Sequence, residues 1–170
     1  MKKTLDLGCA DRPRNPYGCD LVYGVDVFED TSKNIKKADL VLDPIPFDSD
    51  FFDFVTAFDL IEHIPRLIYS PDRRLPFIEL MNEIYRVLKM DGFFYSVTPA
   101  FPNAAAFIDP THVNFISEGT LSYYFCDSQS NPPWGALYGF NGAFSLVNQD
   151  WEGPHLRTLM RKIQVRYDAV

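Results

Sequence analysis

The chain has 170 residues, 46% of them hydrophobic and 15% aromatic, enough for one domain with one core and too apolar for disorder by composition. Its formal charge of -7 argues against nucleic acid or an anionic membrane as partner, because phosphate binding needs concentrated Lys and Arg. Cys9, Cys19 and Cys126 are odd in number and lack C-x-x-C spacing, so neither a disulfide framework nor a metal site is expected.

An apolar run at residues 4–7 predicts a first strand that breaks at Gly8, and a run at 21–27 predicts a second that carries Asp26 near its end. Between them lie Pro13, Pro16 and Gly18, poor residues for a helix interior, so the connecting helix is expected to be very short or absent. Residues 38–42 and 52–58 read as a third and a fourth strand, and the stretch from Asp26 to Asp39 leaves room for one helical turn. Strands this continuously apolar suggest a sheet covered on both faces. Over residues 75–90, Phe77, Leu80, Met81, Ile84 and Leu88 recur at helical spacing, and Asp91-Gly92 stops the pattern. A fifth strand is expected at 93–98, ended by Pro99, and two more in 137–147 and 159–167, paired with each other. The fold class is therefore α/β: one domain over 1–170, Rossmann-like and doubly wound, with a mostly parallel sheet of about seven strands and an antiparallel terminal strand. The helices between the first three strands are abbreviated, which leaves one sheet face short of cover.

Strand, glycine turn, and second strand ending in a carboxylate make a pocket for an adenosine-containing cofactor at the carboxyl edge of a parallel sheet. Glycine lets the backbone approach a ligand, and the Asp26 carboxylate can accept hydrogen bonds from both ribose hydroxyls. Ala10 stands where a second glycine is common and no third glycine follows, a poor match to a dinucleotide fingerprint. S-adenosyl-L-methionine carries no pyrophosphate, so one close backbone approach suffices for it.

Leu5-Asp6-Leu7-Gly8-Cys9, Gly24-Val25-Asp26, the segment from Asp43-Pro44 to Asp53, Phe58-Asp59-Leu60-Ile61-Glu62-His63-Ile64, and Glu83-Ile84-Tyr85-Arg86-Val87-Leu88 through Gly92 follow one another in that order. In this order they resemble the class I S-adenosylmethionine-dependent methyltransferases, above all the branch called type 11. Asp109-Pro110-Thr111-His112-Val113 is similar to a loop after the fifth strand in some members. The resemblance implies that Asp6, Gly8 and Cys9 lie on the methionine side of the cofactor and Asp26 with Val27 at the ribose. It implies further that Asp43 lies near the adenine amino group and Phe58 beside the methionine arm. Pro44 cannot donate a backbone hydrogen bond to the adenine ring.

Each residue also has a structural reading. Asp6 serves equally well to stabilise the turn, and Cys9 reads as a small buried filler with no basic neighbour to activate it. Glu62-His63 reads as structural, at the start of a helix. His112, in a proline-flanked loop, is the candidate base for a hydroxyl or amine acceptor, with Asp109 as its orienting partner; a loop-folding role is an equal alternative. The aromatic set Phe101, Phe107, Phe115, Tyr123, Tyr124 and Phe125 either lines an acceptor pocket or covers the sheet. The expected function is direct methyl transfer to a small-molecule acceptor. The alternatives are a non-catalytic subunit acting through a partner chain or a homodimer, and, more weakly, a nicotinamide oxidoreductase. Met1-Lys2-Lys3 leads straight into the first strand and no apolar run approaches the length of about 20 residues that spans a bilayer, so the expected compartment is the cytoplasm.

Overall fold

A computed structural model describes residues 1–128 and 132–167. Its strands are β1 (Lys3–Leu7), β2 (Leu21–Asp26), β3 (Ile35–Lys37), β4 (Phe52–Phe58), β5 (Leu88–Pro99), β6 (Phe144–Glu152) and β7 (His155–Lys162). They form one sheet in the order β3-β2-β1-β4-β5-β7-β6. The members from β3 to β5 are parallel, and β7 runs antiparallel to both of its neighbours. Strand order reverses between β1 and β4, so the loops leaving β1, β2 and β4 flank a topological switch point.

Helix α1 (Pro76–Val87) begins with Pro76, whose fixed φ suits the first helical turn. Its Phe77, Leu80, Met81, Ile84 and Val87 are buried in one cluster with Leu5, Leu7, Val55 and Ala57, each large side chain contributing about 1.5–3 kcal/mol. The helix ends at Val87 rather than at 90. Leu88 turns extended to pair with Phe52, and the Asp50 and Phe51 N–H groups take the Arg86 and Val87 carbonyls. Helix α3 (Glu118–Phe125) joins the same cluster through Leu121 and Phe125, whose ring meets Phe77 edge-on at 5.4 Å. The short α2 (Ala105–Ile108) lies in the loop between β5 and α3. No helix among the described residues is long and apolar enough to cross a membrane.

Three elements sit elsewhere than the sequence suggested. The third strand is not 38–42 but Ile35–Lys37, because the aspartates close a turn: Asp39 Oδ1 accepts the Val41 N–H and Asp43 Oδ2 the Asp39 N–H. β5 starts at Leu88, ahead of the Asp91-Gly92 step, and Asp91 adopts φ 63° within it. The last two strands are shifted, β6 to 144–152 and β7 to 155–162, and Gly153 at φ 58° turns the hairpin.

Between β1 and β2 no helix forms, and residues 8–20 lie over the opposite sheet face as a loop. Tyr17 stacks on Phe54 at 4.3 Å and meets Tyr95 edge-on at 5.8 Å. The loop is bolted down by Asp6, which is fully buried. Its Oδ1 accepts from the Thr56 hydroxyl at 2.7 Å and its Oδ2 from the Arg14 N–H at 2.8 Å. Burial pushes the Asp6 carboxyl above its ordinary 3.8, with both hydrogen bonds and the Arg14 charge opposing. The folded chain therefore holds this proton more tightly than the unfolded chain. Its stability contribution is complete below 3.8 and is lost as pH rises through the raised value. Asp6→Ala is expected to cost about 2–3 kcal/mol in urea denaturation, since two buried donors lose their partner. Asp6→Asn should cost far less, because its amide can donate to Thr56 while that hydroxyl turns to the Leu5 carbonyl 3.3 Å away. The Asn variant should also lose the acid-side pH dependence. Equal losses in the two variants would contradict this account.

Candidate functional site

At the carboxyl edge, Gly8 turns the chain with φ 63°, and the Gly8 and Cys9 N–H groups both point to the Val25 carbonyl, at 2.9 and 3.4 Å. This ties the end of β1 to the end of β2. Asp26 is half-buried, its Oδ1 accepting the Val27 N–H and its Oδ2 the Ala10 N–H, each at 2.8 Å. An ionised carboxylate has about four lone-pair sites, so two stay open for a diol. Val27 and Leu42, exposed after β2 and β3, are apolar surfaces on the same edge. Gly8, Cys9, Asp26 and Val27 are thus brought together as the sequence implied. Asp43 is exposed and folds back onto Asp39.

Three residues play other parts. Asp6 faces the sheet interior, as the turn-stabilising reading had it. Cys9 is buried against Gly24, where a Cβ would stand 2.5 Å from its sulfur. Burial first, then the Asp6 and Asp26 charges, push its thiol up to about 11, so it is no nucleophile at neutral pH. Phe58 carries the Arg14 guanidinium 4.6 Å from its ring centroid and the Tyr95 ring edge-on at 5.8 Å. Arg14 and Leu60 are residues that sequence reasoning passed over. A Cβ on Gly8 would come within 2.9 Å of the Leu60 side chain, so Leu60 covers the glycine turn.

Directly after Leu60 the chain makes a single 3-10 turn, Ile61–His63, and there a second cluster begins. Glu62 is buried; its Oε2 accepts from the Thr98 hydroxyl at 2.8 Å, while its Oε1 has no partner. Burial raises the Glu62 carboxyl above the usual range, against the backbone and Thr98 hydrogen bonds. The loop from β5 is fastened over it, with the Val113 and Asn114 N–H groups donating to the Glu62 carbonyl at 2.9 Å each. Asn114 Nδ2 reaches the Ile61 carbonyl, and Arg66 binds the Asn114 side chain and the Phe115 carbonyl. That places His112 beside His63, their rings 4.9 Å apart and nearly perpendicular. One ligand atom from each of Glu62, His63 and His112 lies within 4.8 Å of the others.

Asp109 does not orient His112 as expected. Its Oδ2 is 3.9 Å from His112 Nε2, too long for a hydrogen bond. Its Oδ1 accepts instead from the Thr111 hydroxyl at 2.6 Å and N–H at 2.7 Å, which holds the Asp109 carboxyl below its ordinary value. Thr111 in turn meets His63 Nδ1, and the partner of His112 Nδ1 is the Ala106 carbonyl at 3.2 Å. Glu62 and His63, read from sequence as structural, thus share one site with His112. The available signal was a Glu-His step after one central strand and a histidine after its neighbour.

Beyond this loop, between α1 and α3, opens an apolar pocket of about 770 Å³ lined by Phe77, Phe101, Phe107, Phe115, Tyr123 and Tyr124, with Arg66 at its wall. Phe125 is fully buried in the core, so the aromatic set serves both uses weighed for it. None of Gly8, Asp26, Val27 and Phe58 lines this pocket, which is separate from the glycine-turn crevice.

A family model described as "Methyltransferase domain" matches residues 2–128. No curated protein matches the chain in sequence. Among solved structures, an S-adenosylmethionine-dependent methyltransferase from Archaeoglobus fulgidus superposes with a TM-score of 0.58 at 18% identity, covering 95% of this chain and 86% of that one. The complex between the Haloferax volcanii Trm112 methyltransferase activator and a methyltransferase gives 0.60 at 13%, covering 96% and 83%. The [4+2]-cyclase SpnF gives 0.60 at 12%, covering 95% and 74%. Identities this low show the fold, and the cyclase illustrates that a fold does not dictate a reaction. The family match is the stronger finding: spanning both sides of the switch point, it establishes that the chain belongs to the class I methyltransferases, whose cofactor is S-adenosylmethionine.

Proposed function

We propose that the chain moves a methyl group from S-adenosylmethionine directly to a small-molecule acceptor. The observation that carries this reading is Asp26, a half-buried carboxylate beside a glycine turn with one lone pair per oxygen uncommitted. The nucleoside end of the cofactor fits there: the ribose diol on Asp26, the adenine against exposed Val27 and Leu42, with Asp43 in the neighbouring loop. Arg14, held on the Phe58 ring where the resemblance puts the methionine arm, suits the carboxylate of that arm. The bound cofactor supplies a methyl group already activated as a sulfonium, so the protein has to align the acceptor and exclude water. His112, with Glu62 and His63, stands at the acceptor side and handles the acceptor's proton; Asp109 acts behind them through Thr111 and His63. The aromatic pocket is the acceptor's apolar seat.

Two charge-assisted hydrogen bonds to ribose are worth about 1.5–3 kcal/mol each. Asp26→Ala should therefore weaken S-adenosylhomocysteine binding, measured by calorimetry, by a factor of about ten or more. His112→Ala should leave that affinity within about twofold and lower turnover, since general acid–base chemistry is typically worth a factor of about 100 or more. An Asp26 variant with unchanged affinity would remove the ribose assignment.

One observation favours a second reading, a non-catalytic subunit. Phe54, Phe58, Phe93 and Tyr95 are only partly buried, on a sheet face covered by a loop instead of a helix. A chain that takes up no S-adenosylhomocysteine and runs as a dimer in light scattering would support it, and a monomer that binds this ligand would end it.

A further inference from the structure

We propose that Glu62, His63 and His112 form a binding site for a divalent cation of borderline character, such as Zn²⁺, Co²⁺ or Mn²⁺, facing the acceptor. The first observation is the orphaned oxygen. Glu62 is 1% exposed, yet its Oε1 has no hydrogen-bond partner, a deficit of about 1–3 kcal/mol that a fold does not ordinarily carry without a use for it. Protonation offers no remedy, because a hydroxyl at Oε1 finds no acceptor there among the described residues.

The second observation is the state of the two imidazoles. Thr111 has a single hydroxyl proton, and it goes to Asp109 Oδ1 at 2.6 Å. Toward His63 that hydroxyl can only accept, as can the Thr111 carbonyl, so Nδ1 of His63, at 3.1 and 3.2 Å from them, must carry the hydrogen. The Ala106 carbonyl, 3.2 Å from His112 Nδ1, imposes the same tautomer on the second ring. Each neutral ring then keeps its lone pair on Nε2. An Nδ1–H donated to a backbone carbonyl is how metal-binding histidines are oriented, and Asp109 behind Thr111 extends that outer shell.

The third observation is the ligand set. Two imidazoles and one carboxylate, with no thiolate, suit a borderline divalent ion, and three protein ligands leave coordination positions open. The ligand atoms lie within 4.8 Å of one another. Around a cation with bonds of about 2.1 Å they would sit about 3.4 Å apart in tetrahedral geometry, a contraction within reach of small side-chain rotations.

The site is defined without reference to methyl transfer; its use rests on the reading above. An open position would take a hydroxyl oxygen of the acceptor and lower its pKa, and the proton would leave to water. The neighbouring apolar pocket, with Phe107 and Phe115 on the same loop as His112, would hold the rest of the molecule.

The test is a calorimetric titration of chelator-treated full-length protein with Zn²⁺, Co²⁺ and Mg²⁺, with the cobalt visible spectrum as a second readout. Binding of one Zn²⁺ or Co²⁺ per chain with a micromolar or tighter Kd, and more weakly of Mg²⁺, is expected. His63→Ala, His112→Ala and the isosteric Glu62→Gln should each lose at least tenfold in affinity, with circular dichroism confirming the fold; His112→Gln replaces any variant that fails to fold. Absence of uptake, or uptake indifferent to both histidine substitutions, overturns the proposal. Calorimetry with S-adenosylhomocysteine on the same samples separates the two readings. Cation uptake without this ligand supports the cation site and removes the methyltransferase reading, whereas ligand binding without cation uptake overturns the cation site alone.

Discussion

A chain that omits the helix after its first strand still has to hold the glycine turn in place, and it does so with one buried carboxylate. Asp6 receives a hydroxyl from β4 and an N–H from the loop, and so joins the two central strands to the segment that covers them. The Val25 carbonyl then fixes the turn to β2, and Asp26 closes the arrangement by accepting from Ala10. Everything at the carboxyl edge inherits its position from these few hydrogen bonds. Charge is tolerated in the interior here because both Asp6 oxygens are satisfied and neutralisation stays within reach.

Glu62 makes the contrast. It is buried as deeply on the next loop along the same edge, but only one of its oxygens is engaged. A satisfied buried carboxylate is architecture, whereas a half-satisfied one facing two histidines is an invitation to a ligand. The two sites are coupled through Leu60, which covers Gly8 on one side and leads into the Ile61–His63 turn on the other. Movement of that residue would reach the cofactor crevice and the acceptor site together.

Much of the sheet was legible in the sequence. The runs ending at Leu7, Asp26 and Phe58 are strands because their apolar residues are buried on the helix-covered face, and Pro13, Pro16 and Gly18 left no helix to form between the first two. Residues 38–42 misled because Leu40 and Val41 look like a strand, while the side chains of Asp39 and Asp43 supply turn hydrogen bonds that no apolar count registers. The helix was drawn past Val87 because Leu88 continues the helical spacing, although its partner is Phe52, a long-range pairing absent from any local window. Asp26 and His112 could be singled out from their loops. The tie of Asp109 to Thr111, and the convergence of Glu62 with His112, depend on how the loop after β5 is fastened over the loop after β4, which residue spacing does not encode.

The central claim, that the glycine turn and Asp26 hold an adenosine-containing cofactor, is tested most directly by amide spectra of ¹⁵N-labelled protein titrated with S-adenosylhomocysteine. Saturable shifts are predicted at Gly8, Ala10, Asp26 and Val27, with little change around Tyr123 and Tyr124. Shifts confined to the aromatic pocket, or none at all, would contradict it.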